Sequence, residues 1–226
     1  MGGFGLPFSF NNIMPFPTTN ATQELPAINQ ILSSCGQAPV TTLDTTNPDV
    51  AIAYDTLLEV SKEVQGEGWT FNQEFEIDQP VNADKEIEIA NNILQIDLSE
   101  SYKGDKDVVR RTKPGETQAK LYDRYNHTYV IGDTTADTFE VDITYFYDWV
   151  DIPYAVQNYI TAKAATITAQ RIVGDPTLIQ TLQQREALAR ANALEYECNQ
   201  GDYTIFGHPH GKRSYTSYKP YTALQR

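Results

Sequence analysis

The 226-residue sequence has few of the side chains that bind metals or form disulfide bonds. Its two cysteines, Cys35 and Cys198, are far apart and do not make a disulfide framework in a chain this long. We expect both to be small buried side chains in a reducing compartment. His208 and His210 flank a proline and have no cysteine nearby, so this spacing favours an exposed loop over a zinc site. We therefore expect no metal and no cofactor.

Long apolar stretches are also missing. No apolar run approaches the roughly 20 residues that a membrane-spanning helix needs. Residues 1–21 lack the charged segment and following apolar segment of a secretory signal. We expect a soluble protein that is made in a cytoplasm.

Positive charge is scarce and unevenly placed. The sequence has 30 acidic and 17 basic residues, a net charge of −13, which argues against a simple nucleic-acid binder with a basic face. Residues 1–21 carry no charge. Residues 22–202 hold all 30 acids and 13 bases (13 − 30 = −17), and residues 203–226 hold the other four bases and no acid. We expect this basic tail to dock on an acidic surface.

Motifs for catalysis are nearly absent. The glycines of residues 2–5 lack the spacing of a phosphate-binding loop, and no serine or cysteine lies in a nucleophile elbow. Three carboxylate pairs could in principle act as acid and base: Glu86 with Glu88, Glu140 with Asp142, and Asp148 with Asp151. The first two pairs alternate along predicted strands, so we expect them on the solvated face of a sheet, and the third is placed to cap a helix.

Start and stop signals predict two helices before residue 68. The first begins near Gln23–Leu25, with Pro26 in its opening turn, and stops at Gly36. The second has Asn47 as its N-cap and ends at residues 66–68. Apolar residues at spacings of three and four predict the buried faces: Leu25, Ile28, Ile31, Leu32 and Cys35, then Val50, Ala53, Leu57, Val60 and Val64.

Two further helices are predicted after residue 150. The third opens at residues 151–153 and closes at Gly174, and the fourth is capped by Asp175 and runs towards Gly201. Their predicted buried residues are Val156, Tyr159, Ile160, Ala164 and Ile167, then Leu178, Leu182, Ala189, Ala193 and Tyr196.

Between the helix pairs the apolar period changes to two. This alternation predicts strands at residues 69–77, 86–89, 96–98 and 139–145, with a short apolar run at 128–131. Arg110–Lys113 is a small basic patch in a turn-rich stretch, which is either solvated or a phosphate-binding loop.

These patterns predict an α+β fold in four parts. A four-helix bundle is formed by residues 22–68 and 151–201, and an antiparallel β-sandwich-like domain at 69–150 is inserted in it. An extended arm at residues 1–21 precedes the bundle, and a basic, Tyr-rich tail at 202–226 follows it.

The two ends contain the candidate binding residues. The arm's phenylalanines are predicted to fill pockets on a neighbouring subunit, unless the arm is a disordered leader: Phe4, Phe8, Phe10 and Phe16. Aromatic and cationic side chains in the tail suit a protein interface or single-stranded nucleic acid. These residues are Tyr203, Lys212, Arg213, Tyr215, Tyr218, Lys219, Tyr221 and Arg226.

Several segments in this order resemble one family, the tail tubular protein A (adaptor or gatekeeper) of short-tailed bacteriophages. The resemblance covers most of residues 24–200. It is carried by residues 24–40, 68–72, 122–124, 151–160 and 195–197. The arm, the insert around residues 103–120 and the tail depart from the family's pattern.

The resemblance implies a structural virion protein that catalyses nothing. It implies a homododecameric ring between the portal protein and the tail nozzle (tail tubular protein B), with tail fibres nearby. Genomic DNA would pass through the channel of this ring without specific binding. It also favours the tail as the portal-docking segment, because C-terminal segments in the family reach the portal.

Two other functions remain open from the sequence alone. A carbohydrate-active tail enzyme would need a carboxylate pair in a cleft, and a DNA-binding packaging accessory would bind duplex DNA with a steep dependence on salt.

Overall fold

The computed structural model describes residues 21–99 and 106–201. Over these residues the chain is a mixed α and β protein with four α-helices and two three-stranded antiparallel sheets. The helices are α1 (Ala21–Ser34), α2 (Pro48–Gly66), α3 (Tyr154–Ile172) and α4 (Pro176–Gly201). The strands are β1 (Gln73–Pro80), β2 (Glu88–Ile89), β3 (Ile93–Leu98), β4 (Val108–Thr112), β5 (Ala119–Asp123) and β6 (Thr138–Tyr145).

The chain divides into two compact units. Among the described residues, the β unit contains residues 21–25, 61–99 and 106–152. The helical unit contains Pro26–Val60 together with residues 153–201.

The starts of α2 and α4 confirm the predicted caps. The Asn47 side-chain oxygen accepts a hydrogen bond from the backbone N–H of Asp49 at 3.1 Å. The carboxylate of Asp175 accepts one from the N–H of Thr177 at 3.0 Å. Each cap satisfies a backbone donor that has no partner inside its own helix.

Helix α1 begins two to four residues before its predicted start. The helix begins at Ala21, so Pro26 is its sixth residue rather than part of the opening turn. At the sixth position of a helix, proline removes one intrahelical hydrogen bond, because it has no N–H group. The preceding residues Ala21, Gln23 and Glu24 are good helix formers, which favours continuing the helix through the proline.

In the helical unit, α3 packs against α4 and is buried on most of its surface. Its buried residues include seven small side chains: Thr161, Ala162, Ala164, Ala165, Thr166, Thr168 and Ala169. The guanidinium of Arg171 links α3 to α2, because it donates to the Thr56 hydroxyl and to the Glu59 carboxylate, each at 2.8 Å. Of the predicted α3 stripe, Ile167 is only half-buried.

The β unit is built around one hydrophobic cluster. The β6 sheet has the order β1-β6-β3 and the β5 sheet has the order β2-β5-β4. Both sheets contribute their inner faces to the same core: Ile93, Leu98, Val141 and Ile143 from the first, and Ile89, Val108, Ala119 and Leu121 from the second. The opposite face of each sheet is therefore directed away from this core.

The first predicted strand is partly wrong. Residues 69–72 form a turn, and β1 begins only at Gln73. A shift of register between Glu74 and Ile77 interrupts the alternation, and Glu76 there has φ +56°. This β-bulge breaks the inward–outward alternation, and Phe75 beside it is 54% exposed.

The middle of the β unit also differs from the prediction. The stretch around Arg110 is not a solvated loop, because β4 and β5 pair there from Val108–Asp123 to Thr112–Ala119. The apolar run at residues 128–131 makes only a single bridge, between Asp123 and Thr128. The period-two pattern did not predict β4, because its two valines are adjacent and are followed by two adjacent arginines.

Candidate functional site

The predicted binding residues at the two ends lie outside the described residues. This applies to the arm, to the tail and to the histidines at 208 and 210. The prediction that both cysteines are buried is wrong, since Cys198 is exposed and Cys35 is half-buried. Burial, with a smaller effect from Asp49, raises the pKa of the Cys35 thiol.

The carboxylate pairs occupy three different environments. Glu140 and Asp142 are half-buried on the outer face of the β6 sheet. Asp148 precedes the 3₁₀ turn Trp149–Asp151 without a side-chain cap hydrogen bond, and Pro153 is the N-cap of α3, so the expectation that this pair caps a helix is wrong. Glu88 is exposed, but Glu86 is only 3% exposed. The expectation that Glu86 lies on a solvated face is therefore wrong.

Glu86 belongs to a cluster of four charged side chains, which we call the ionic quartet: Glu86, Lys113, Glu116 and Lys120. The Lys120 ammonium lies 2.5 Å from a carboxylate oxygen of Glu86 and 2.5 Å from one of Glu116. Lys113 contacts the other Glu86 oxygen at 2.8 Å and Glu116 at 3.6 Å. The Lys120 side chain is only 6% exposed, so the pair at the centre of the quartet is buried.

The quartet keeps its central pair charged. Burial alone would raise the pKa of the Glu86 carboxyl, but the hydrogen bonds from Lys113 and Lys120 outweigh it and the pKa is lowered. The hydrogen bond to Glu116, followed by the one to Glu86, raises the pKa of Lys120. A buried ion pair of this kind positions strands but adds little net stability compared with apolar packing.

Residues 106–124, which we call the basic hairpin, contain β4, β5 and the turn between them. They hold six of the chain's bases and three acids, a net charge of +3. Glu86 reduces this charge through the quartet. Among the described residues, Arg110 and Arg111 form no ion pair. Arg110 instead donates to the Ile93 carbonyl at 2.7 Å.

Arg111 is held on the outer face of the β5 sheet by aromatic rings. Its guanidinium carbon lies 4.5 Å from the centroid of the Tyr122 ring, a cation–π distance. The Tyr122 ring meets Tyr129 edge to face, with centroids 4.8 Å apart. Arg111 is exposed, so the stack presents a cation to solvent with its side chain already ordered.

The outer face of the β6 sheet has the opposite character. Its three strands contain six carboxylates and no lysine, arginine or histidine. Four of the carboxylates occupy cross-strand positions that share a face, and we call this set the acidic face: Asp78, Asp97, Glu140 and Asp142.

Like charges are directly paired on the acidic face. Asp78 is opposite Glu140, and Asp97 is opposite Asp142. Such pairs are destabilising in an isolated sheet. Asp142 accepts a hydrogen bond from the N–H of Glu76 in the bulge at 3.0 Å.

Sequence reasoning missed the quartet and the Arg111 stack. The excess of basic over acidic residues in the segment 106–124 is visible in the sequence and marks it as a charged surface. The pairing of β4 with β5, which brings Arg111 beside Tyr122, has no signal in the local pattern.

Within the parts of the chain that the structure describes, no group of three or more His, Cys, Asp or Glu side chains is placed to hold a metal ion. Over residues 21–99 and 106–201, no helix is both long enough and apolar enough to cross a membrane.

Over the described residues, the fold and its surfaces define a mixed α and β protein whose distinctive surface features are charged sheet faces. The sequence profile of the tail tubular protein family matches residues 25–203, and the chain belongs to this family. The match confirms the resemblance found in the sequence and supports a structural role in a virion tail. No curated protein matches the chain.

Proposed function

We propose that this chain is the adaptor, or gatekeeper, of a short-tailed bacteriophage. Twelve copies form a ring that joins the portal to the tail nozzle and surrounds part of the channel for genome retention and ejection. The observation that carries the proposal is the family match over residues 25–203. The protein is assembled into the tail after synthesis in the bacterial host cytoplasm, and it performs no catalysis.

Each part of the chain has a role in this proposal. The four helices form the bundle at residues 22–68 and 151–201, and residues 69–150 form the inserted sandwich-like domain. The arm at 1–21 contacts the neighbouring subunit, and the tail at 202–226 contacts the portal. Tail fibres and the nozzle bind elsewhere on the ring.

The charge of the chain supports passage of DNA without binding. At −13 per copy, a ring repels the phosphate backbone, which carries one negative charge per about 1.7 Å of duplex. A basic lumen would instead hold the genome in place.

The mass of the purified protein, measured with and without portal, tests the proposal. We expect a dodecamer in the presence of the portal, by native mass spectrometry and electron microscopy. A monomer in the absence of the portal agrees with the proposal, because the portal can template the ring. A chain that stays monomeric on an intact portal would rule the proposal out.

Truncation after Gly201 tests the role of the tail. The described helices and sheets end at or before this residue, so we expect unchanged circular dichroism and thermal unfolding. Because the four bases of residues 203–226 are removed, we expect co-sedimentation with the portal to be lost. Normal docking of the truncated protein would contradict the portal assignment.

A further inference from the structure

The basic hairpin and the acidic face lie on different sheets of the β unit, and both face away from its shared core. The inner faces of both sheets form one hydrophobic cluster. The hairpin presents Arg111 outward from the β5 sheet, and the four carboxylates face outward from the β6 sheet. One compact unit therefore carries two surfaces of complementary charge.

We propose that the basic hairpin of one copy docks on the acidic face of the next copy. This inference rests on the proposed ring and names the surfaces through which its subunits meet. The contact is head-to-tail, since each copy supplies a different surface to each neighbour. Head-to-tail contacts close into rings when the rotation between copies allows it.

The hairpin has the composition of an interface centre. Arginine and tyrosine are enriched among residues that dominate binding energy. Arg111 is already ordered by its stack on Tyr122, so little side-chain entropy is lost when it binds. Beside the stack, Tyr125 is 76% exposed and Val130 is 44% exposed, which adds apolar area to bury.

The acidic face benefits from a cation supplied by a neighbour. A guanidinium beside Asp78, or between Asp97 and Asp142, brings opposite charges together on this face. The exposed ring of Phe75 on β1 supplies an aromatic contact on the same sheet. A second copy is favoured over an unrelated cationic partner because the chain itself carries the matching surface.

Charge reversal tests this contact. Arg111→Glu and Asp78→Arg are each expected to lower the yield of portal-templated rings by about tenfold or more, because each brings like charges together at every contact. Combining the two substitutions in one chain puts opposite charges back on the two surfaces, with their signs exchanged, and is expected to restore assembly. Raising the salt concentration is expected to weaken the wild-type contact.

Arg185→Glu is the matched control. Arg185 is exposed on α4, outside both surfaces, and its reversal changes the net charge by the same amount as Arg111→Glu. We expect Arg185→Glu to assemble normally. Equal losses for the two variants, or no rescue in the double variant, would overturn the proposal.

Cross-linking separates this proposal from the proposed function. A zero-length carbodiimide cross-linker is applied to mixed isotope-labelled and unlabelled copies, at high concentration alone and again with portal. We expect links between hairpin lysines of one copy and acidic-face carboxylates of another. Portal rings with links elsewhere would leave the adaptor function standing and refute this contact. Links that depend on Arg111 without rings on the portal would support the contact and refute the adaptor function. If neither these links nor rings on the portal are found, both the contact and the adaptor function are refuted.

Discussion

Replacing Asn72 with leucine is expected to lower the free energy of unfolding of the β unit by about 4 kcal/mol. Asn72 is fully buried. Its side-chain oxygen accepts from the N–H of Trp69 at 2.8 Å, and its amide donates to the carbonyls of Gln65 at 2.9 Å and Tyr145 at 2.8 Å. Leucine removes all three hydrogen bonds. The Gln65 carbonyl keeps its hydrogen bond from the N–H of Gly68 at 3.2 Å, and a buried group that is left unsatisfied costs about 1–3 kcal/mol.

Urea titration followed by tryptophan fluorescence measures this loss. Both tryptophans, Trp69 and Trp149, belong to the β unit, so the signal reports on the unit that contains the mutation. Asn91→Leu is the control, because Asn91 is an exposed asparagine of the same unit, and we expect a change below about 0.5 kcal/mol. Equal stability of the Asn72 variant and the wild type would show that the three hydrogen bonds are energetically unimportant.

The second large effect is expected at the ionic quartet. Lys120→Met removes the buried ammonium and leaves Glu86 with only its contact to Lys113. We expect a loss of about 3 kcal/mol, because an incompletely paired buried carboxylate keeps its desolvation cost. The double variant Glu86→Leu with Lys120→Met is expected to be more stable than Lys120→Met alone. Lys113→Met, at the half-exposed edge of the quartet, is the control, and its effect is expected to be clearly smaller.

The quartet also sets a pH dependence. The pKa of Glu86 is lower in the folded protein than its ordinary value of 4.5, so its contribution is present above pH 4.5 and is lost as the pH falls through the folded pKa. The pKa of Lys120 is raised above 10.5, so its contribution is complete below that pH and is lost as the pH rises through the folded pKa. In urea titrations, the wild type is therefore expected to lose stability relative to the double variant as the pH falls below 4.5, because the double variant lacks both groups. A constant difference between them down to pH values well below 4.5 would contradict this account.

The helices were largely predictable because their signals are local. Asn47 and Asp175 fix helix starts through hydrogen bonds to residues two positions away, and these distances are visible in the sequence. The exception at α1 arises because proline weakens a helix without always ending it.

The sheets were less predictable because their burial depends on distant partners. Glu86 is buried by Lys120, 34 positions along the chain, and no local pattern contains that pairing. Phe75 is exposed because a bulge in β1 shifts the register against β6. The sequence places Arg111 only in a small basic patch, since its stack on Tyr122 exists only once β4 and β5 pair.

The small residues of α3 limit how this helix can change over evolution. Seven of its buried positions hold only alanine or threonine, and interiors are packed closely enough that one extra methylene is felt. A larger side chain there would push away α4, which packs against it, whereas alanine-to-serine exchanges keep the volume nearly constant. Substitutions at the buried positions of α3 are therefore limited to side chains of similar volume, while the exposed positions of α4 tolerate side chains of different sizes.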